Sequence, residues 1–196
     1  MMHAPKLIVV TGRPGSGKTT LAHALARSIR CPALCRDECK EGLIHTFGDR
    51  ATPDDHRKLN WQVYNTFFRA VELLLRDGIT LVAEAAFQHK LWLPKLQPLQ
   101  DIAQIRLIVC LTDPVLARTR FIQRGLSDPE RDSYHGSGLI QPNKEDTALT
   151  ISPYEPPRLA VPLLTVDTSD GYKPSLEQIK AFALQPTEKD SGGSSL

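Results

Sequence analysis

The sequence predicts an α/β fold in which helices cover both faces of a parallel β-sheet. Short, continuous apolar runs alternate along the chain with segments of helical periodicity, an order typical of parallel sheets. The runs contain few polar residues, as expected for strands that are buried on both faces. Because 41% of the 196 residues are hydrophobic and 23% are charged, we expect one globular domain. We place this domain at residues 1–184 and expect a disordered tail at 185–196.

The first half of the chain contains two predicted strands and three predicted helices. The apolar run at residues 6–11 predicts the first strand, and residues 19–29 carry apolar side chains at helical spacing. A short second strand is predicted at 33–36, with a helix at 37–45 after it. Residues 53–76 carry apolar side chains at helical intervals up to the Asp-Gly pair that follows them, so they predict a long helix.

The second half continues the alternation. Apolar runs at residues 79–83 and 104–111 predict two further strands, separated by a segment of helix length. A helix is predicted at 114–124, a last strand at 163–167 and a last helix at 175–184. Strands and helices in this order favour a layer of helices on each side of the sheet.

The segment between the helix predicted at 114–124 and the last strand differs in composition from the rest of the chain. Residues 125–157 are rich in Pro, Gly, Ser, Asp and Arg and show little periodicity. Such a stretch inside a compact domain predicts a long loop or a mobile lid.

Charge and hydropathy give no support to several function classes. The formal net charge of +2 gives no general reason to expect nucleic acid or a membrane surface as a partner. The amino terminus lacks the features of a signal peptide, and no run of about 18 apolar residues occurs. We therefore expect a cytoplasmic protein.

The four cysteines are Cys31, Cys35, Cys39 and Cys110, and the first three recur at every fourth position. A zinc site usually needs four ligands in short pairs, and no histidine lies at a suitable spacing in the sequence. We therefore expect free, reduced thiols.

A glycine-rich motif lies directly between the first strand and the first helix. It matches the phosphate-binding pattern G-x-x-x-x-G-K-[ST] in full, in the strand–loop–helix context that the mechanism requires. Backbone N–H groups of such a loop, together with the amino end of the helix, bind the phosphates of a nucleotide. Lys18 would reach the outer phosphates, and the Thr19 hydroxyl would bind Mg²⁺. The residues expected to bind the nucleotide are Gly12, Arg13, Pro14, Gly15, Ser16, Gly17, Lys18, Thr19 and Thr20.

Two acidic residues follow other predicted strands at the same edge of the sheet. Asp37 comes directly after the second strand and could accept the proton of an attacking hydroxyl. The alternative is that Asp37 only caps the helix that follows. Glu84 ends the third strand and could hold magnesium or position the acceptor, and the alternative is a buried structural carboxylate.

Several arginines lie just before or within the predicted lid. Guanidinium groups delivered by a closing lid can stabilise the negative charge of a transferring phosphate. Arg120 and Arg124 lie four residues apart, so one helix face can present both, and we favour these two over Arg118 and Arg131. The alternative is a solvated helix face.

The motifs together resemble the small predicted-kinase branch of the P-loop kinases. This group includes the kinase domain of polynucleotide kinase, chloramphenicol phosphotransferase and zeta-type toxins. The resemblance implies a three-layer αβα fold with five parallel strands, ATP and Mg²⁺ as cofactors, and a lid that contributes arginines. It also implies transfer of the γ-phosphate of ATP to a hydroxyl of a small or nucleotide-like molecule. The segments that carry it are GRPGSGKTT, RDE, LVAEAAF, ARTRFIQRG and LLTVDTSDG.

The resemblance also assigns roles to individual positions. Lys18 and Thr19 match the phosphate and magnesium residues, Asp37 matches the acid that activates the acceptor, and Arg120 or Arg124 matches the lid arginine. Residues 167–170 are candidates for the neighbourhood of the adenine.

Two positions depart from the pattern of the relatives. Polynucleotide kinases carry Asp-x-x-Arg, whereas Lys40 takes the place of the arginine here. Lysine lacks the planar fork that binds phosphate through two hydrogen bonds, so a nucleic-acid end is possible as acceptor but not favoured. Glu84 stands where many relatives carry aspartate, which leaves its metal role open.

Two alternatives remain beside a kinase. Residues 143–146 spell the N-K-x-D pattern of GTP-binding switches, but they follow a loop-like segment rather than a buried strand, which argues against a switch. The other alternative is a hydrolytic P-loop ATPase, in which Glu84 would activate water. Asp37 distinguishes the two, because a hydrolase needs no base on an acceptor side.

Overall fold

A parallel five-stranded sheet forms the centre of the computed structural model, which describes residues 4–48, 53–135 and 154–186. The strand order is β2-β3-β1-β4-β5, and every neighbouring pair is parallel. The strands are β1 (Lys6–Gly12), β2 (Ala33–Cys35), β3 (Leu81–Glu84), β4 (Gln104–Leu111) and β5 (Leu163–Asp167). The predicted α/β fold with five parallel strands is confirmed.

Seven helices in the described residues connect or flank these strands. They are α1 (Lys18–Ile29), α2 (Arg36–Phe47), α3 (Pro53–Arg76), α4 (His89–Leu99), α5 (Pro114–Ser127), α6 (Pro129–His135) and α7 (Leu176–Leu184). None of them is both long and apolar enough to cross a lipid bilayer.

The third strand begins two residues later than the apolar run predicts. The chain after α3 turns at Gly78, whose φ is 77°. The next residue, Ile79, donates its N–H to the carbonyl of Leu74 at 2.8 Å and so closes the carboxyl end of the helix. Ile79 is therefore the apolar residue that follows a helix cap, not the start of β3.

The predicted loop between residues 125 and 157 is helical in its first part. The chain continues α5 to Ser127 and then forms α6, so residues 126–135 correct the prediction. Asp128 accepts a hydrogen bond from the N–H of Arg131 at 3.0 Å, and Pro129 occupies the first position of the helix. Asp followed by Pro is a helix-start signal that the low periodicity of the segment obscured. The rest of the predicted lid up to residue 153, residues 143–146 and the tail from 187 onward lie outside the described residues.

The sheet carries an apolar core on each face. Leu7 and Val9 of β1 pack on one side with α3 and α4, and Ile8 and Val10 pack on the other with α1 and α7. This alternation follows from the two-residue period of a strand, and all four side chains are fully buried. Burial on both faces explains why the sequence shows a continuous apolar run.

Trp92 of α4 anchors the end of the first strand. Its side chain is fully buried among Phe67, Phe68 and Phe87, whose ring centroids lie 5.3–6.2 Å away. The indole Nε1 donates a hydrogen bond to the Thr11 hydroxyl at 3.1 Å. Trp92 thus combines a large buried apolar surface with a satisfied polar group directly before the glycine-rich loop.

Replacing Trp92 by alanine should lower the free energy of unfolding by about 3–5 kcal/mol, because it leaves a cavity in the aromatic cluster. Urea unfolding followed by circular dichroism measures this loss. The other tryptophan, Trp61, is 58% exposed, and Trp61→Ala should cost less than about 1 kcal/mol. Equal losses for the two variants would contradict the proposed anchoring by Trp92.

Candidate active site

The glycine-rich loop connects β1 to α1 and leaves the amino end of the helix open. Gly17 is the N-cap residue at φ 74°, and no side chain caps the helix. The first N–H groups of α1 therefore have no partner within the helix. Such an end, with the partial positive charge of the helix dipole, is suited to bind an anion such as a phosphate.

Neighbouring elements hold the loop in place. The Ser16 N–H donates to the Arg13 carbonyl at 3.2 Å, and the Thr168 hydroxyl donates to the Ser16 carbonyl at 2.7 Å. Gly15 has a φ of 77°, and a Cβ there would lie 2.0 Å from the Ala117 carbonyl oxygen of α5. Only glycine fits this position, for both conformational and steric reasons.

Lys18, Thr19 and Glu84 form a polar cluster beneath the loop, in which Lys18 and Glu84 are buried. Lys18 Nζ lies 3.7 Å from Glu84 Oε1, and the Thr19 hydroxyl donates to Glu84 Oε2 at 3.0 Å. Burial raises the pKa of Glu84, and Lys18 offsets this effect only in part. The hydroxyl and the carboxylate are oxygen ligands of the kind that Mg²⁺ prefers, so the side chains present fit this ion.

Asp37 lies in the first turn of α2, directly beyond the end of β2. The helix begins at Arg36 with Cys35 as its N-cap residue and no side-chain cap, so Asp37 does not act as the cap of this helix. Burial on its own would raise the pKa of Asp37. Interactions with His135, Lys18 and Arg36 outweigh this effect and hold the pKa below its usual value. Asp37 is therefore an ionised carboxylate near Lys18 at neutral pH.

A cavity of about 170 Å³, the central cavity, brings several of the predicted site residues together. Lys18 and Asp37 line it from the sheet edge, and Arg124 and Arg131 line it from α5 and α6. Four of its residues belong to the predicted lid at positions that are helical. The lining residues are Pro14, Lys18, Asp37, Ala86, Phe121, Arg124, Gly125, Asp128, Arg131, Asp132 and His135.

Glu41 holds α6 against α2 beside the central cavity. Its Oε1 accepts a hydrogen bond from Arg131 Nε at 2.7 Å and lies 2.9 Å from His135 Nε2. The sequence gives no sign of the role of Glu41 or His135, because these contacts join positions about 90 residues apart. The α6 start signal at Asp128 was the one local indication that a structured element follows.

Only one of the two favoured arginines lines the central cavity. Arg124 lines it with Lys18 and Asp37, whereas Arg120 donates to the carbonyls of Thr168 and Ser169 at 2.9 and 2.7 Å. Both arginines line a second cavity of about 360 Å³, the outer cavity. Its lining residues are Gly15, Gly17, Thr20, Arg120, Arg124, Thr168, Gly171 and Tyr172.

A third cavity lies beside Asp37 and was not anticipated from the sequence. This side cavity has a volume of about 330 Å³. Four of its residues come from one face of α3, at the spacing i, i+3, i+4 and i+7, which resembled an ordinary amphipathic pattern. The lining residues are Arg36, Arg57, Asn60, Trp61, Tyr64, Phe87 and Leu91.

Lys40, at the position where polynucleotide kinases carry arginine, is only 2% exposed. This position of α2 therefore offers no exposed cation to a nucleic-acid phosphate.

All four cysteines are free thiols. Cys35 Sγ nevertheless lies 3.6 Å from His23 Nε2, a contact across α1 and β2 that the sequence spacing did not reveal, and His23 lies 2.6 Å from Glu38 Oε1. Burial and the nearby carboxylates of Glu84 and Glu38 raise the pKa of Cys35 well above the usual thiol value. The thiol stays protonated at neutral pH, and a hydrogen-bonded cluster accounts for this contact.

The three-layer α/β fold and the phosphate-binding loop together define a P-loop protein with a kinase-like fold. A family model described as an AAA domain matches residues 7–135, and the chain belongs to this family. No curated protein sequence matches this chain.

Solved structures share this fold over most of their length. A candidate kinase from Chloroflexus aurantiacus j-10-fl is 26% identical, with a TM-score of 0.71 over 91% of this chain and 96% of that chain. APS kinase CysC from Mycobacterium tuberculosis, solved with AMPPNP and APS, is 20% identical, with a TM-score of 0.57 over 90% and 94% of the two chains. An unliganded sugar kinase from Janibacter sp. HTCC2649 is 12% identical, with a TM-score of 0.54 over 92% and 94%.

Replacing Gly15 by alanine should weaken nucleotide binding at least about tenfold and lower the melting temperature. The new Cβ meets the backbone of Ala117 and also strains a left-handed conformation, so the loop must shift. Isothermal titration with an ATP analogue and thermal unfolding measure the two effects.

Two further glycines separate the steric clash of the added Cβ from the strain of a left-handed conformation. Gly78 has the same φ of 77° but nothing within 4 Å of an added Cβ, so Gly78→Ala should lower stability and leave nucleotide affinity unchanged. Gly42 lies inside α2 with open space around it, and Gly42→Ala should stabilise the protein by about 0.5–1 kcal/mol. Wild-type affinity in Gly15→Ala would contradict the assignment of the loop.

Proposed function

We propose that this protein is an ATP-dependent kinase that transfers the γ-phosphate of ATP to a hydroxyl of a small or nucleotide-like molecule. One observation carries the proposal: the ammonium of Lys18 and the ionised carboxylate of Asp37 line the same small cavity at the carboxyl edge of the sheet. A phosphate-binding lysine next to a carboxylate suits phosphate transfer, because the carboxylate can orient and deprotonate the attacking hydroxyl. The likeness to the candidate kinase from Chloroflexus supports the same reaction class.

ATP, the phosphate donor, would be bound by the glycine-rich loop and the outer cavity. The N–H groups at the start of α1 and the Lys18 ammonium would bind the phosphates, and the remainder of the nucleotide would extend past Thr20 into the outer cavity. Arg120 would act there by fixing the carbonyls of Thr168 and Ser169, which lie within the predicted adenine neighbourhood.

Thr19 and Glu84 would hold the magnesium ion through their oxygen atoms. When bound, Mg²⁺ neutralises charge on the phosphate oxygens. The raised pKa of Glu84 reflects how costly its buried negative charge is without a second positive charge beside it. The fit of the cluster to a cation therefore follows from its own electrostatics.

Asp37 would receive the acceptor. Its carboxylate would accept a hydrogen bond from the substrate hydroxyl and aim the oxygen at the γ-phosphate. As the new O–P bond forms, the bond between the γ-phosphorus and the bridging oxygen of ATP breaks, ADP leaves, and Asp37 takes up the hydroxyl proton. A carboxylate with a lowered pKa is a weak base, which is sufficient because phosphate transfer passes through a loose transition state that needs little nucleophile activation. Positioning is then the larger part of its contribution.

Arg124 and Arg131 would stabilise the charge that spreads over the transferring group. Both line the central cavity from the helices at the start of the predicted lid. The contact of Arg131 with Glu41 joins α6 to α2, so that the Arg131 guanidinium would already be positioned when substrates bind.

Replacing Asp37 by asparagine should lower the rate of transfer by about 10²–10⁴-fold while ATP affinity stays near that of the wild type, because only the acceptor side loses its base. Transfer of label from γ-labelled ATP to a panel of hydroxyl compounds, scored against hydrolysis, measures the rate. Glu38→Gln removes the neighbouring carboxylate, which contacts His23 outside the central cavity, and should change the rate little. Equal ATP turnover by Asp37→Asn and wild type, with no dependence on an acceptor, would instead favour a hydrolytic ATPase.

Replacing Lys18 by alanine should abolish measurable transfer and remove much of the nucleotide affinity. The change removes the charge that faces the phosphates and leaves Glu84 buried without its partner. A coupled assay for ADP and a nucleotide titration test both effects, and Lys180→Ala, on α7 and outside the linings of the central and outer cavities, serves as the charge-matched control. An undiminished rate in Lys18→Ala would reject the assignment of the active site.

A further inference from the structure

We propose that His23, Cys35 and Glu38 form a binding site for a zinc ion. One possible ligand atom from each, His23 Nε2, Cys35 Sγ and Glu38 Oε1, lies in a group whose members are all within 4.8 Å of one another. The three side chains come from α1, from the end of β2 and from the first turn of α2. The site uses neither Thr19 nor Glu84, the proposed magnesium ligands, and it does not depend on the proposed kinase activity.

The distances between the ligand atoms suit zinc. In a tetrahedral site with Zn–S of about 2.3 Å and Zn–N and Zn–O of about 2.0 Å, sulfur and nitrogen lie about 3.5 Å apart and nitrogen and oxygen about 3.3 Å apart. Cys35 Sγ lies 3.6 Å from His23 Nε2, which already matches this geometry. His23 Nε2 lies 2.6 Å from Glu38 Oε1, and this pair has to open slightly to admit the ion. The Glu38 side chain is 43% exposed and has room to make this change.

The types of ligand select the metal. Imidazole, thiolate and carboxylate groups are the protein ligands of Zn²⁺, whereas Mg²⁺ prefers oxygen atoms alone. Zinc binding would displace the proton that the Cys35 thiol carries without metal, and this proton would leave to the solvent. The ion would also bring a positive charge to a thiol that interacts with the carboxylates of both Glu38 and Glu84. The surroundings of the sulfur therefore favour a cation.

The exposure of the three side chains gives the ion an entry path. Cys35 is only 1% exposed, but the side chains of His23 and Glu38 are 41% and 43% exposed. A zinc ion would therefore reach the sulfur from the solvent, between the imidazole and the carboxylate. Water would take the fourth coordination position on this open side, as in other zinc sites with three protein ligands.

An ion at this site would connect the two helices that flank the reaction centre. His23 belongs to α1, which begins at Lys18 of the glycine-rich loop, and Glu38 belongs to α2, which carries Asp37. Cys35 joins both of them to the sheet through β2. Zinc would thus fix α1 relative to α2 and stabilise the folded chain, because the three ligands meet only in the folded state.

Metal titrations of the full chain, reduced and without nucleotide, test the site. Co²⁺ replaces Zn²⁺ in such sites and reports a thiolate ligand through a sulfur-to-metal charge-transfer band in the near ultraviolet. We expect Co²⁺ to produce this band, Zn²⁺ to abolish it by displacement, and a large excess of Mg²⁺ to leave it unchanged. Competition with a chromophoric chelator measures the zinc affinity.

Variants of the ligands and of neighbouring thiols make the test specific. Cys35→Ser should remove the charge-transfer band. His23→Ala and Glu38→Gln, at exposed positions, should each weaken zinc binding at least about tenfold, and they keep the test valid if Cys35→Ser does not fold. Cys31→Ser and Cys39→Ser change thiols outside the cluster and should keep the wild-type affinity. Free zinc at about 100 times its Kd should raise the melting temperature of the wild type by about 5–10 °C.

Three results would overturn the site. They are a cobalt complex without the charge-transfer band, a zinc affinity unchanged in both His23→Ala and Glu38→Gln, and a loss of binding in Cys31→Ser or Cys39→Ser equal to that in His23→Ala. Because these measurements involve no ATP, their failure would leave the kinase proposal standing. A protein that binds zinc as expected but transfers no phosphate would support the zinc site and count against the kinase alone.

Discussion

The parallel register of three strands is the constraint on which the site depends. Glu84, at the end of β3, pairs with Val10 of β1 on one side and with Cys35 of β2 on the other. Parallel strands end at the same edge of a sheet, so the loop after β1, the helix start after β2 and the Glu84 carboxylate arrive at one place. A slip of one residue would turn Glu84 to the opposite face and separate it from Lys18 and Thr19.

The cluster formed at this edge is electrostatically costly, and the packing around it is correspondingly rigid. Lys18 and Glu84 are both almost fully buried, and an ion pair of this kind gains little net stability once desolvation is included. Trp92 fixes the strand that leads into the loop, and Thr168 fixes the loop itself through the Ser16 carbonyl. Buried charge held by a well-packed frame is the arrangement expected of a site that binds a charged ligand.

Three cavities surround this edge and divide the chemistry among different elements. The loop and the segment after β5 line the outer cavity, the helices α5 and α6 close the central cavity, and α3 forms most of the side cavity. The pair Arg36 and Asp37 joins the last two, because adjacent residues at a helix start face different cavities. The residues of α3 that line the side cavity can thus vary without disturbing Lys18 and Asp37, which line the central cavity.

The amino-acid sequence by itself determined the fold class, the phosphate-binding loop and the positions of Asp37 and Glu84. These follow from local signals: buried strands have apolar runs, the loop requires its glycines, and residues after parallel strands share one edge. The tertiary structure alone placed Arg124 but not Arg120 at the central cavity, brought Glu41 to α6 and gathered Arg36, Trp61 and Phe87 around one cavity. Such contacts join residues far apart in the chain, where the packing of helices, which no sequence period encodes, decides which side chains meet.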